Sequence, residues 1–377
     1  MKKDTGFSSR ETNKGQVREF SEIKAAEKLY EQKTYFKNRL LKKNRHLSKW
    51  AARNSYGAYR VYNRDIPEIP LSVDIYTDFP SGIRYAVVFL YERPYKTSGS
   101  EEERWLESML AILSDTLSIP EDNIFSRIRK KQRGNNQYGK IVDTGSEKTV
   151  RPDNEKTPDD FEITVKEGEL GFIVRPQTYL DTGLFIDHRI LRNRICFESK
   201  GKKILNLFCY TGSFSVFGAH GGGVVTSVDI SNTYLGWAKK NFELNGINSL
   251  SHEFIREDVF LFLKKALEKK EKWDIIILDP PTFSNSKKMK DFLDINRHWP
   301  LLCAECILLL NRGGTLYFST NSKKLKFSGN LLQEKINRLA KGKDHSLQEL
   351  KIKDITASTI PEDFKDSKIH KVWEIKL

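Results

Sequence analysis

The sequence predicts an α/β protein, with a parallel sheet covered by helices on both faces in its carboxyl-terminal half and a smaller α+β domain before it. Three observations predict this. From about residue 200, short runs of Ile, Leu, Val and Phe alternate with stretches of helical periodicity, and repeated βα units require a parallel sheet. Upstream, strand-like runs over 56–95 are followed by one amphipathic helical stretch over 101–117. The charge is uneven: residues 1–60 hold 16 Lys and Arg against 6 Asp and Glu, a large share of the net +14 of the 377-residue chain. The expected division is a polar flexible extension over 1–32, a basic helix plus small α+β domain over 33–178, and the βα domain over 179–377.

The elements follow in order. Residues 33–53 carry eight basic residues and no acidic one, with Phe36, Leu40, Leu47 and Trp50 at helical spacing. This is an amphipathic helix with a basic outer face. The single sign of charge favours a phosphate-binding arm through Lys37, Arg39, Lys42, Lys43 and Arg45 over a merely solvated face. Tyr85–Tyr91 is a strand entered from a turn at Pro80–Gly82. A second basic cluster, Arg127, Arg129, Lys130, Lys131 and Arg133, precedes Asn135, Asn136, Gln137 and Tyr138. That mixture suits phosphate and base contacts, and equally an ordinary exposed loop. A polar excursion over 143–160 leads to a hairpin at 161–165 and 171–174. Strands are then expected at 204–208, 224–228, 252–255, 273–278 and 315–318, and helices at 214–220, 234–245, 259–270 and 294–310.

Several classes of protein are disfavoured. The best apolar run, Leu301–Leu310, is short and carries Glu305, so no membrane span is expected. Met1-Lys2-Lys3-Asp4 does not open a secretory signal. Four cysteines do not make a disulfide framework, and thiols in a reducing cytoplasm are the simpler expectation. Cys303 and Cys306 form a C-x-x-C inside an apolar helical stretch with no second pair, so they are expected in the core and no metal site is expected. The excess of basic residues points to a polyanionic partner.

In open α/β sheets, ligands bind beyond the carboxyl ends of the strands. The first strand of the βα domain runs into Asn206-Leu207-Phe208-Cys209-Tyr210-Thr211-Gly212-Ser213-Phe214. This turn has one glycine over 210–215 and is not the G-x-G-x-x-G fingerprint, which disfavours a nicotinamide cofactor. Asp229 ends the second strand, 17 residues past Gly212, and can accept hydrogen bonds from a ribose diol; Asp229 or Ser231 can equally cap a helix. Asp258 follows the third strand and can accept from an adenine amino group or cap the helix beginning near Val259. The fourth strand, Ile275-Ile276-Ile277-Leu278, ends in Asp279-Pro280-Pro281-Thr282-Phe283: an acid, a stiffened loop without N–H groups at the prolines, and an aromatic face on which a base could stack.

These residues resemble a known family. NLFCYTGSFSV, the segment over 226–246 and LDPPTFSNSKKM are similar to class I S-adenosylmethionine-dependent methyltransferases, and most similar to the guanine-N7 half of a fused bacterial large-subunit rRNA methyltransferase. The likeness extends to YLDTGLFIDHR (179–189), RIRKKQRGNNQY (127–138), FKNRL (36–40) and IHKVW (369–373), and so covers most of 33–377. It implies a seven-stranded Rossmann-like methyltransferase sheet and S-adenosyl-L-methionine as cofactor. By matched position, Asn206, Phe208, Thr211, Gly212 and Phe214 line the methionine end, Asp229 with Ser231 holds the ribose, and Asp258 the adenine. Phe185, Asp187 and Arg189 cover the cofactor from outside. Asp279, Pro280, Pro281 and Phe283 face the target base, Asp279 also belonging to the cofactor-binding set, with Lys287 and Lys288 beside the RNA.

The resemblance implies methylation of guanine N7 in 23S rRNA. N7 carries an in-plane lone pair and needs no general base. Cytosine-C5 chemistry requires a cysteine nucleophile, and Ser319-Thr320-Asn321-Ser322 and the fourth-strand loop contain none. The nearest rival reaction is methylation of an exocyclic amine of guanine or adenine, disfavoured because the aromatic stands one residue later than in the [DN]-P-P-[FYW] pattern. Two more distant readings are a non-catalytic RNA-binding or ribosome-assembly protein on the same fold, and an enzyme acting on protein or small molecules.

Overall fold

The computed structural model describes residues 9–92, 99–129, 140–142, 149–151, 161–179, 181–284, 292–340, 350–365 and 368–377. The first domain opens with one long helix, α1 (Ser9–Arg53), so the stretch expected to be flexible up to residue 32 is helical from Ser9 onward. Its middle is rich in Glu, Lys, Ala and Leu, which lose little on entering a helix. Strands β1 (Ala58–Asn63), β2 (Leu71–Thr77) and β3 (Arg84–Tyr91) pair antiparallel in sequence. Helix α2 (Gly99–Leu117) then crosses over to β4 (Ile124–Arg129), which lies parallel to β3. Phe36, Leu40 and Leu47 of α1 and Trp105, Met109 and Leu113 of α2 bury one face of this sheet. Trp105 donates to the side chain of Gln32 at 2.8 Å, which fixes the two helices together inside that layer.

Two hairpins follow, β5 (Lys140–Val142) with β6 (Thr149–Arg151), and β7 (Ile163–Glu167) with β8 (Leu170–Val174). The second joins the domains. Its Lys166 and Thr164 carbonyls accept from Gly57 and Phe79, while Gly171 donates to Asn245 of the second domain.

The second domain contains α3 (Arg189–Glu198), β9 (Lys203–Leu207), α4 (Ser213–His220), β10 (Val224–Asp229), α5 (Asn232–Leu244), β11 (Glu253–Arg256), α6 (Val259–Lys269) and β12 (Trp273–Leu278). After these come β13 (Phe283–Ser284), β14 (Leu293–Asp294), α7 (Ile295–Leu308), β15 (Leu310–Thr320), α8 (Gly329–Ala340), β16 (Lys351–Asp354), α9 (Thr356–Thr359) and β17 (Lys371–Lys376). The sheet order is β11-β10-β9-β12-β15-β17-β16. The first five strands run parallel, and β17 enters antiparallel between β15 and β16. Helices α6, α7 and α8 cover one face. Helices α3, α4 and α5 cover the other. The chain leaves β9 toward β10 on one side and later returns to β12 on the other. That reversal of direction opens a crevice at the carboxyl ends of β9 and β12, where a ligand can enter between the two loops.

Candidate active site

The loop leaving β9 is held in an uncommon backbone. Phe208, Tyr210 and Gly212 have φ of 57°, 51° and 74°. Non-glycine residues there cost about 1–3 kcal/mol each, and such strain gathers at ligand sites. The loop is over-determined by its neighbours. Tyr210 N–H donates to Asp229 at 3.0 Å, the Thr211 hydroxyl to the Gly183 carbonyl at 2.6 Å, and Asn241 to the Thr211 carbonyl at 2.9 Å. A Cβ on Gly212 would stand 2.7 Å from that of Ala238, so α5 packs against the turn only because this residue is glycine.

These restraints correct part of the expected cofactor set. Thr211 is fully buried, and its hydroxyl faces the 179–189 segment rather than the crevice. Asn206 is 1% exposed and lies within β9; it donates to Ser215, whose hydroxyl meets that of Ser227, so it braces β9, α4 and β10 beneath the crevice floor. Phe214, in the first turn of α4, is buried and makes an edge-to-face contact with His188. Phe208 is half-buried at the crevice, as is Phe185, whose ring lies 5.2 Å from that of Tyr210.

Asp229 ends β10 half-buried. One carboxylate oxygen accepts from Tyr210 N–H and the other from Ser231 N–H at 2.9 Å. Both oxygens are thus held in place at the strand end by backbone N–H groups, which orients the carboxylate. Ser231 caps α5, accepting from Tyr234 N–H at 3.3 Å. Asp258 caps α6 through Oδ1 alone, leaving its Oδ2 able to accept at the next strand end.

The DTGLFIDHR segment does lie across the crevice, but its arginine does not face it. Arg189 is 1% exposed, donating to the carbonyls of Ile186 and Ala58 and to Asp363. Its guanidinium lies over the rings of Trp50 and Tyr56. It ties the first domain to the second and is not a cofactor contact. Arg192, also buried, makes a two-pronged pair with Glu167 at 2.7 and 2.6 Å and donates to the Phe185 carbonyl at 2.8 Å. Gly183 has φ of 110°, and a Cβ there would stand 2.2 Å from the Trp237 ring. No side chain other than hydrogen fits between segment and α5.

Asp279 ends β12 with its carboxylate partly exposed, 3.6 Å from Nε2 of His188. Pro280 is buried and Pro281 half-buried. The Thr282 hydroxyl bonds Asn321, and the Thr282 carbonyl accepts from Ile295 N–H, so the loop after the prolines is fixed on both sides. Phe283 is half-buried and stacks on the exposed Phe292 at 6.0 Å.

The residues that sequence reasoning missed stand behind Asp279. His188 stacks on His370 at 4.5 Å, and His370 Nδ1 lies 3.0 Å from Asp187, so Asp187 is tied into the interior rather than aimed at a cofactor. Burial alone would raise the Asp187 carboxyl, but His188, His370 and Arg60 hold it well below the usual carboxylate range. Burial pushes the His188 imidazole down, against the pull of Asp279 and Asp187. Both histidines fall in segments that carry the family likeness, yet 182 residues separate them and only the insertion of β17 brings them together.

Comparison with known proteins decides what this crevice belongs to. A family model described as S-adenosylmethionine-dependent methyltransferase matches residues 159–349. A ribosomal RNA large subunit methyltransferase K of Neisseria meningitidis is 41% identical over 344 residues, covering 91% of this chain and 87% of that protein. The chain belongs to the S-adenosylmethionine-dependent methyltransferases. A ribosomal RNA large subunit methyltransferase K/L of Saccharophagus degradans is 40% identical over 350 residues; the match takes in 92% of this methyltransferase chain but 42% of that relative's length. Among solved structures, SMU.776, described as a methyltransferase complexed with SAH, superposes with a TM-score of 0.66 at 23% identity, covering 92% of this chain and 82% of that one. It shares the fold.

The crevice fits the methyltransferase cofactor. Carboxylates at the ends of β10 and β11 and the strained loop after the adjacent β9 suit the ribose, the adenine and the amino acid end in turn.

The candidate RNA face is also corrected in part. Arg39 and Lys43 are committed to the buried Asp65, at 2.7 and 3.2 Å. Lys37, Lys42 and Arg45 are exposed on α1. Arg127 is buried, donating to the Pro176 carbonyl, and cannot contact RNA. The Arg129 side chain, Lys130, Lys131, Arg133, Lys287 and Lys288 lie outside the described residues. Cys303 and Cys306 lie on the buried face of α7, with thiols pushed well up by burial. Among the described residues, no helix is long and apolar enough to cross a membrane.

Proposed function

We propose that the protein transfers a methyl group from S-adenosylmethionine to N7 of a guanine in 23S rRNA. The names of its relatives, ribosomal RNA large subunit methyltransferases, support the RNA substrate. One observation carries the choice of atom. Where exocyclic-amine methyltransferases place an aromatic directly after the two prolines, this chain has Thr282, fixed to Asn321, and Phe283 is turned one position further to stack on Phe292.

When bound, S-adenosylmethionine supplies an electrophilic methyl group on a sulfonium. Asp229 and Asp258 would hold the nucleoside part and the strained 208–212 loop the amino acid part, with Asp279 at the next strand end. Phe283 stacks on the extruded guanine and offsets part of the cost of unstacking it. The N7 lone pair forms the new N–C bond, and the S–C bond breaks with its electron pair left on sulfur. Positive charge therefore passes to the purine. No proton moves, and the Asp279 carboxylate faces the new charge. In-line positioning supplies much of the acceleration.

The test is mass spectrometry of 23S rRNA nucleosides from cells with and without the gene. Loss of 7-methylguanosine supports the proposal. Loss of N2-methylguanosine or N6-methyladenosine instead favours transfer to an exocyclic amine, and an unchanged profile removes both reactions.

A further inference from the structure

Asp187, His188 and His370 bring their ligating atoms within 4.8 Å of one another. They do not form a cation cage. The two imidazoles are stacked, with 14° between their planes, so their in-plane lone pairs run side by side rather than toward one point. His370 also has both nitrogens engaged, Nδ1 with Asp187 at 3.0 Å and Nε2 with the Thr359 hydroxyl at 3.2 Å.

The cluster is instead a line of polar contacts. It runs from Thr359 through His370 and Asp187 to His188, and ends on Asp279 at the crevice. His188 is 6% exposed. Its Nε2 stands between two carboxylates, 3.6 Å from Asp279 and 3.8 Å from Asp187, and its Nδ1 is buried with no hydrogen-bond partner among the described residues. A ring hydrogen on Nδ1 would be an orphaned donor and would leave the Nε2 lone pair facing two anions. A hydrogen on Nε2 turns its positive end toward both carboxylates, at ion-pair rather than hydrogen-bond distance, and leaves only a bare acceptor in the interior.

We propose that His188 is a positioning residue for methyl transfer: its Nε2–H, directed between Asp187 and Asp279, holds the Asp279 carboxylate toward the positive charge that builds on guanine as N7 is alkylated. This rests on the proposed guanine-N7 reaction. Because that reaction releases no proton, His188 holds rather than shuttles. Asp187, itself fixed by His370, keeps His188 from rotating away.

Two variants separate position from bulk. His188→Gln sets an amide N–H near the place of Nε2–H, and His188→Phe fills the space without a donor. Kinetics are read with S-adenosylmethionine and 23S rRNA, and cofactor affinity by calorimetry. The Phe variant is expected to lose about 100-fold in kcat, the low end for removal of one preorganised donor. Its KM for RNA and cofactor Kd should stay within about 3-fold of wild type, because His188 contacts neither. The Gln variant should recover to within about 5-fold of wild type. A Phe variant as fast as wild type, or a Gln variant as slow as the Phe variant, overturns the assignment.

Ring-nitrogen NMR on 15N-histidine-labelled protein gives a readout without substrate. The His188 signals, identified by their loss in His188→Gln, should report the Nε2–H tautomer, and Asp279→Asn should shift its Nε2. A resting Nδ1–H tautomer overturns the proposal even if the Phe variant fails to fold. Wild-type protein that makes N2-methylguanosine refutes the N7 reaction by itself, whereas 7-methylguanosine made equally well by His188→Phe refutes His188 alone.

Discussion

The Arg189 guanidinium lies 3.3 Å from the Asp363 carboxylate, and neither side chain meets solvent. Arg189 also donates to the Ala58 carbonyl of the first domain, and Asp363 accepts from Arg60 N–H at 3.0 Å. The pair therefore binds the two domains at one buried point. Removing one partner leaves the other uncompensated, which costs about 3–5 kcal/mol. Arg189→Leu should lower the unfolding free energy from urea titration by that amount while cofactor affinity, measured by calorimetry at low temperature, changes less than about 3-fold. Lost cofactor affinity with unchanged stability would return Arg189 to the cofactor set.

Asp229 is expected to carry much of the ribose binding. Asp229→Asn keeps the size and one acceptor but removes the charge, and hydrogen bonds to charged groups are worth about 1.5–3 kcal/mol. Calorimetry should show S-adenosylmethionine binding about 10–100-fold weaker. Affinity within about 2-fold of wild type, some 0.4 kcal/mol, would place the nucleoside elsewhere.

Asp279→Ala should retain RNA and cofactor binding and lose most turnover. Turnover within a factor of about 2 of wild type, some 0.4 kcal/mol in the barrier, would remove Asp279 from the reaction.

On α1, charge reversal at Lys37, Lys42 and Arg45 should weaken RNA binding and flatten its salt dependence by about 0.7–0.9 per lost phosphate contact. Cofactor affinity should be unaffected. Arg39→Gln with Lys43→Gln should act differently, lowering stability more than RNA affinity, because both cations serve the buried Asp65. Filter binding across a salt series, beside thermal melts, distinguishes the two sets.

Glu305 sits in α7 with Oε2 buried and without a hydrogen-bond partner among the described residues, and burial pushes its carboxyl up to about 7, opposed by Lys335. The folded protein holds this proton more tightly than the unfolded chain. The stability it confers is complete below about pH 4.5 and is lost as pH rises through 7. Glu305→Gln should therefore stabilise by about 1–2 kcal/mol at pH 8 and by little at pH 5, allowing for solvent screening. Equal melting shifts at both pH values would contradict this.

Much of the fold is legible in the sequence. The runs Ile204–Phe208 and Ile275–Leu278 read as strands because a parallel sheet buried on both faces needs continuous apolar runs. The acids at 229, 258 and 279 stand out because charge directly after such a run has to face solvent or a ligand. Direction is not legible. Arg189 and Arg127 look like contacts because a basic side chain in a motif reads as reaching outward, and only the fold shows carbonyls and Asp363 waiting inside. Thr211 and Asn206 do stand at the end of β9, but one layer beneath the crevice. β16 and α3 are short and mixed in character, without a period strong enough to mark them.

The strand that His370 leads into follows both of its neighbours in the chain and is laid between them. Until segment 370–376 is threaded into that gap, β15 and β16 have no common neighbour and Asp187 lacks the imidazole that anchors it, so the far edge of the sheet and the support behind the crevice are closed by the same strand.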